Sequence, residues 1–224
     1  MPKFIRKLLE TIPPEEIPKW SQRTEERFWN DKKTAPKLYD DVLRFPDKDV
    51  CDDGFIELVR KTLVAFGANR GSRGKVLVEL PDFTNELKKI VVPIQLLAKH
   101  KLETLECDEL VKTIGRLFDE LQIVRSCQKA KLGAFSKTMH FLLPDLFVPM
   151  NGEHTLRFYI GHTPTKYTRD DHKDWFLQAF EDCRRYAHEH HEVLKKQVDA
   201  GTRWNRSIPK VIDSIIIGYM LKPD

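Results

Sequence analysis

Apolar residues recur at helical spacing along most of the chain. Phe55, Ile56, Leu58, Val59, Leu63 and Phe66 share one face of a segment that Asp52 or Asp53 can cap and Gly67 can stop. Asp108 opens a second such segment, with Leu110, Val111, Ile114, Leu117, Phe118 and Leu121 inward. Asp82 begins another, with Phe83, Leu87, Ile90 and Val91 inward and Pro93 expected to kink it before 94–100. Shorter helices are expected over 3–11, 21–30 and 36–45. A long helix is expected from about Asp170 to Ala200, with Phe176, Phe180, Cys183, Leu194 and Val198 inward and Gly201 as its stop. The last helix follows a Ser207 cap with Pro209 in its first turn, and Ile208, Val211, Ile212, Ile215 and Ile216 make it mostly buried. Residues 76–80 read as one short strand without a partner. The pattern therefore predicts an all-α fold, a single globular bundle of about eight helices. Pro13, Pro14 and Pro18 bound an N-terminal arm over 1–20, which leaves 21–224 as one helical domain. Trp20, Phe28 and Trp29 are the aromatics expected to pack that arm onto the body.

The stretch 133–160 organises the remainder. Ser136 can cap a helix that carries Met139, Leu142 and Leu143 on one flank. Lys137 and His140 lie three residues apart and share a neighbouring face. Pro144 ends the run, Asn151-Gly152 signals a turn, and 153–160 forms a second short helix.

Composition adds little until charge is read locally. With 41% hydrophobic and 32% charged residues, the 224-residue chain has the balance of a protein with a real core. A net charge of +4 does not by itself require a nucleic-acid partner. No acidic residue occurs between Glu120 and Asp145, where Arg125, Lys129, Lys131 and Lys137 fall. A second basic cluster, Arg70, Arg73 and Lys75, lies in the glycine-rich loop 67–75. That loop is not a phosphate-binding P-loop, because Val76 follows Lys75 where a hydroxyl is required. A third cluster, Arg203, Arg206 and Lys210, surrounds the start of the last helix, where an anion would be favoured. These residues, with Lys129, Lys131 and Gly133, are the candidate nucleic-acid contacts; the competing reading is a solvated polar surface over the basic interval and a merely polar interhelical loop over 67–75. Asp213 is unusual in so apolar a helix and calls for a partner, either Lys210 or Arg206.

Other chemistries find less support. Cys51, Cys107, Cys127 and Cys183 are widely spaced and lack a C-x-x-C pair, which argues against a zinc ribbon and for a reducing compartment. The run His188-Glu189-His190-His191-Glu192 pairs His188 with Glu192 at i and i+4, but no second histidine completes a ligand set. No metal and no cofactor is expected. The charged start and the short apolar run near 211–221 give no signal peptide or membrane span, so the expected location is the cytoplasm.

The residues Gly133-Ala134-Phe135-Ser136-Lys137-Thr138, an apolar helix, and then Val148-Pro149-Met150-Asn151 resemble the glycine turn, lysine helix and V-x-D end of helix-hairpin-helix DNA glycosylases. The resemblance implies a DNA-phosphate contact at Gly133 and a nucleophilic amine at Lys137, with Asn151 in the place of the family's aspartate. Phe135 replaces the second turn glycine, and Asn151 cannot act as a base, so the implied active site is degenerate. The expectation is a DNA-associated helical protein related to base-excision repair glycosylases. In it Lys137 is the nucleophile candidate, and His140 and Asp213 are the proton-transfer candidates. The alternative is a non-catalytic protein-interaction or structural module, with a protein partner or a homo-oligomer and no membrane.

Overall fold

The computed structural model describes residues 4–28, 34–46, 48–68, 70–71, 74–106, 108–125, 131–162, 169–202 and 204–221. Among them are twelve α-helices: α1 (Leu8–Thr11), α2 (Ile17–Phe28), α3 (Thr34–Arg44), α4 (Asp53–Ala65), α5 (Leu80–Lys88), α6 (Val91–Leu97), α7 (Asp108–Glu120), α8 (Lys131–Leu142), α9 (His154–Ile160), α10 (Arg169–Glu189), α11 (His191–Asp199) and α12 (Ile208–Met220). The all-α class is as expected, with more and shorter helices than the periodicity implied. Buried apolar side chains from Leu8 to Ile216 form one contiguous cluster.

The centre is α12, which is buried continuously from Ile208 to Gly218. Ser207 caps it as expected, its hydroxyl accepting from the Lys210 N–H at 3.4 Å. It packs mainly on α2, and also on α9, α10 and α11. Gly218 permits that packing, since a Cβ there would lie 2.0 Å from the Trp20 carbonyl oxygen. Around it, α4 packs on α3, α5 and α8, and α10 on α7 and α8. Asp52 caps α4 by accepting from the Phe55 N–H at 2.8 Å. Gly67, at φ 74°, follows its end.

Several boundaries differ from expectation, each for a local reason. The expected helix over 170–200 would run about 46 Å, well beyond the roughly 30 Å width of a small domain. It breaks instead at His190 (φ −112°, ψ 24°), and α11 follows with Leu194 fully buried in the core. Pro93 does not kink one long helix. It occupies the first turn of a separate α6, where an amide hydrogen has no intrahelical partner to lose. Residues 76–78 do find a strand partner: Val78 N–H donates to Ile123 O (3.1 Å) and Arg125 N–H to Val76 O (2.7 Å), around a Leu77–Val124 bridge. A two-residue antiparallel pairing of Arg70–Gly71 with Gly74–Lys75 lies just before it.

The segment read as an arm is fastened to the body. Among the described residues of the expected 3–11 helix, only Leu8–Thr11 is helical, because the preceding backbone makes its hydrogen bonds elsewhere. Ile5 N–H donates to Tyr159 O at 2.7 Å, and Leu8 N–H to the Asp182 carboxylate at 2.9 Å. The Arg6 guanidinium donates to the Phe158 carbonyl at 2.9 Å, near the C-terminal end of α9. Leu8, Ile12 and Ile17 are fully buried, and Trp20 stands edge-on to Tyr219 of α12. Trp29 lies outside the described residues. No described helix is long and apolar enough to cross a membrane.

Candidate functional site

A cavity of about 290 Å³ opens between the end of α2, the start of α3, the end of α4, α8, the turn before α9, and α12. All three catalytic candidates line it: Lys137 and His140 from α8, and Asp213 from α12. Lys210 joins them one helical turn from Asp213. Tyr39, Phe66, Phe141 and Trp204 form its aromatic wall, with ring centroids 5.7–6.2 Å apart.

Helix α8 begins at Lys131, earlier than expected, and nearly all of it is buried. Burial on every side suits a helix that is apolar all round. Ser136 is therefore interior rather than a cap. Its hydroxyl accepts from the Met150 N–H at 3.0 Å and ties α8 to the turn that carries Asn151. Gly133 lies within α8 and is not one of the positive-φ glycines, so the expected hairpin turn is absent at this position. Asn151 instead organises the start of α9: its Oδ1 accepts from Glu153 N–H at 2.8 Å, and its own N–H donates to the Thr155 hydroxyl at 2.9 Å.

His140 is fully buried and bonded at both ring nitrogens. Its Nδ1 lies 2.7 Å from the Phe147 carbonyl, which can only accept, so Nδ1 carries the proton. Nε2 is then the acceptor for the Tyr39 hydroxyl at 2.9 Å. Burial pushes the imidazole pKa down to about 3, against the weaker opposing pull of the Phe147 bond. At neutral pH His140 is thus an uncharged positioning group for Tyr39, with no free nitrogen for proton transfer. Burial, and then the charge of Asp213, hold the Tyr39 phenol well above its usual range.

Asp213 and Lys210 form a buried ion pair, the i, i+3 partnership the sequence offered. The Lys210 ammonium also stands 4.2 Å from the centre of the Trp204 ring. Lys137 differs, since among the described residues nothing hydrogen-bonds or ion-pairs with it. Burial lowers its pKa; the charge of Asp213 opposes that shift and the charge of Lys210 adds to it. An amine so placed is available either as a nucleophile or as an anion anchor.

The basic clusters fare unevenly. Lys210 is a cavity wall residue, only 3% exposed, rather than a surface phosphate contact. Arg206 is ion-paired with Asp40 at 3.2 Å. Lys131 is buried, donating to the Asp119 carbonyl at 3.3 Å and standing 5.3 Å from the Phe118 ring centre, so it serves packing. Arg73, Lys129 and Arg203 lie outside the described residues, and only the backbone of Arg70 and Lys75 is described. Gly67, at the root of the basic loop, lines the cavity.

The H-E-H-H-E run is split by the helix break at His190, and His188 Nδ1 lies 3.2 Å from the Glu103 carbonyl. Among the described residues no group of three histidine, cysteine or acidic side chains is placed to hold a metal. Tyr39 and Trp204 escaped the sequence reading, because neither falls in a motif and the partner of Tyr39 lies 101 residues away. No protein-family model, no curated protein and no solved structure matches the chain.

Proposed function

We propose that this protein associates with DNA and takes one unstacked base into the cavity, as a degenerate relative of helix-hairpin-helix repair proteins. The observation that carries the reading is the meeting of Lys137, Lys210 and Asp213 with an aromatic wall in one small cavity at the root of a basic loop. A planar base gains about 1–3 kcal/mol from stacking on an aromatic side chain, whatever its sequence. Nearby cations favour the strand that carries it. If the protein acts on the base, Lys137 is the nucleophile, because burial favours its uncharged amine. Asn151 cannot take a proton, and His140 has none free to move, so association without base release is the expected behaviour.

The test is binding to labelled duplex and single-stranded DNA across a salt series, read also by tryptophan fluorescence. Affinity should fall steeply with salt, and Lys137→Ala should weaken the single-stranded complex. Absence of binding at low salt would refute the proposal. A second reading, a non-catalytic interaction module, draws on Val92 and Leu96, which are 74% and 48% exposed on one side of α6. It predicts a defined oligomer or hetero-complex that Val92→Asp disrupts, measured by light scattering.

A further inference from the structure

We infer that the group entering this cavity is a nucleoside monophosphate unit, such as a phosphorylated strand end, whose phosphate pairs with Lys137 while its base lies along the aromatic wall. The inference rests on the nucleic-acid reading of the cavity and names what that site selects.

Charge is the first ground. Lys210 and Asp213 neutralise each other, and His140 is bonded as the uncharged tautomer. Lys137 is left as the cavity's lysine without a hydrogen bond or ion pair among the described residues, with His154 lining the same cavity. Lys137 is half-buried; partial desolvation works against its ammonium while the Asp213 charge supports it, so a bound anion would stabilise the charged form. A neutral base alone supplies no counter-charge, whereas a phosphate does, and it draws a proton onto Lys137 as it binds.

Size is the second ground. At about 290 Å³ the cavity stands at the lower limit of small-molecule sites, near 300 Å³. That suits a single nucleotide unit. The third ground is connectivity. An internal nucleotide can swing its base inward, but its phosphates stay tied to the strand on both sides. A terminal phosphate has one tether and can follow its base.

The experiment uses the whole chain and defined probes. Deoxynucleoside monophosphates, the matching nucleosides, inorganic phosphate, and short single strands with and without a terminal phosphate are titrated calorimetrically. The monophosphate should bind at least about tenfold more tightly than the nucleoside, the ratio one charge-assisted hydrogen bond supplies. Lys137→Met should abolish that preference, and wild-type binding should take up protons, seen as a binding enthalpy that changes with the ionisation enthalpy of the buffer. Equal binding of nucleoside and monophosphate would overturn the inference, as would a preference that survives Lys137→Met. Inorganic phosphate binding as tightly as the monophosphate would overturn the role of the ring. Salt-sensitive strand binding that ignores the terminal phosphate overturns the inference and leaves the DNA proposal intact. Binding of the free monophosphate without the strands supports the inference and overturns the DNA proposal.

Discussion

Acid should destabilise this protein through His140 in a way that one substitution can isolate. The imidazole has an ordinary pKa of 6.5 and is pushed down to about 3 in the fold. Between those values the unfolded chain holds a proton that the native state refuses. Native stability is then fully present above the unfolded pKa and is lost as pH falls through the window. Each pH unit costs about 1.4 kcal/mol. Across the full window the loss is on the order of 5 kcal/mol, a large share of the 5–15 kcal/mol that holds an ordinary domain together. His172, pushed down to about 4 by burial, acts with the same sign, so the wild-type slope alone is not diagnostic. His140→Gln keeps hydrogen-bonding groups facing Phe147 and Tyr39 but does not titrate. Urea unfolding followed by tryptophan fluorescence at several pH values between 4 and 7 gives both profiles. The wild type should lose about 1.4 kcal/mol per pH unit more than the variant. Parallel profiles would refute the assignment of His140 as a buried neutral group.

Two further perturbations test the packing around the cavity. Gly218→Ala places a methyl 2.0 Å from the Trp20 carbonyl oxygen and should cost at least the roughly 1–3 kcal/mol of ordinary overpacking; an unchanged melting temperature would mean that α2 and α12 do not approach this closely. Lys210→Met strands the Asp213 carboxylate and should cost about 3–5 kcal/mol, whereas adding Asp213→Leu should recover most of it; a double variant with the same denaturant midpoint as the single one would count against the buried pair.

Helix existence was legible in the sequence where one amphipathic face met a recognisable cap or stop. For α4, Asp52 and Gly67 mark both ends, and for α12 Ser207 marks the start. What local pattern could not reveal were decisions made by distant partners. The break at His190 has no proline or glycine to announce it, and it becomes intelligible only once Leu194 is seen against the core. The same holds for residues 4–7, whose helix-compatible pattern yields to hydrogen bonds that Ile5 and Leu8 donate to α9 and α10. The strand over 76–78 was visible, but its partner at 123–125 was not, since so short a pairing leaves no alternating pattern to read.

For the site, neighbours in sequence were legible and neighbours in space were not. Spacing alone offered Lys210 or Arg206 as the partner of Asp213, of which the fold uses Lys210, and it put Lys137 and His140 on neighbouring positions of one helix. That α8 and α12 present these pairs to a common cavity is a tertiary fact, as is the arrival of Tyr39. This changes where the nucleic-acid reading rests. Gly133 was to supply a turn and Lys131 a surface charge, yet the first is helical and the second is folded over Phe118. The basic interval between Glu120 and Asp145 is therefore not one cationic face, because Lys131 and Lys137 serve different surroundings. What remains is Lys137, an ammonium with no partner among the described residues, beside a neutralised pair and an aromatic wall. A surface charge run can be mere solubility, whereas a half-buried lysine facing a cavity without an ion-pair partner among the described residues gains from a bound anion. The DNA proposal thus depends on the occupant of the cavity rather than on a hairpin, and Lys137 is the residue whose removal decides it.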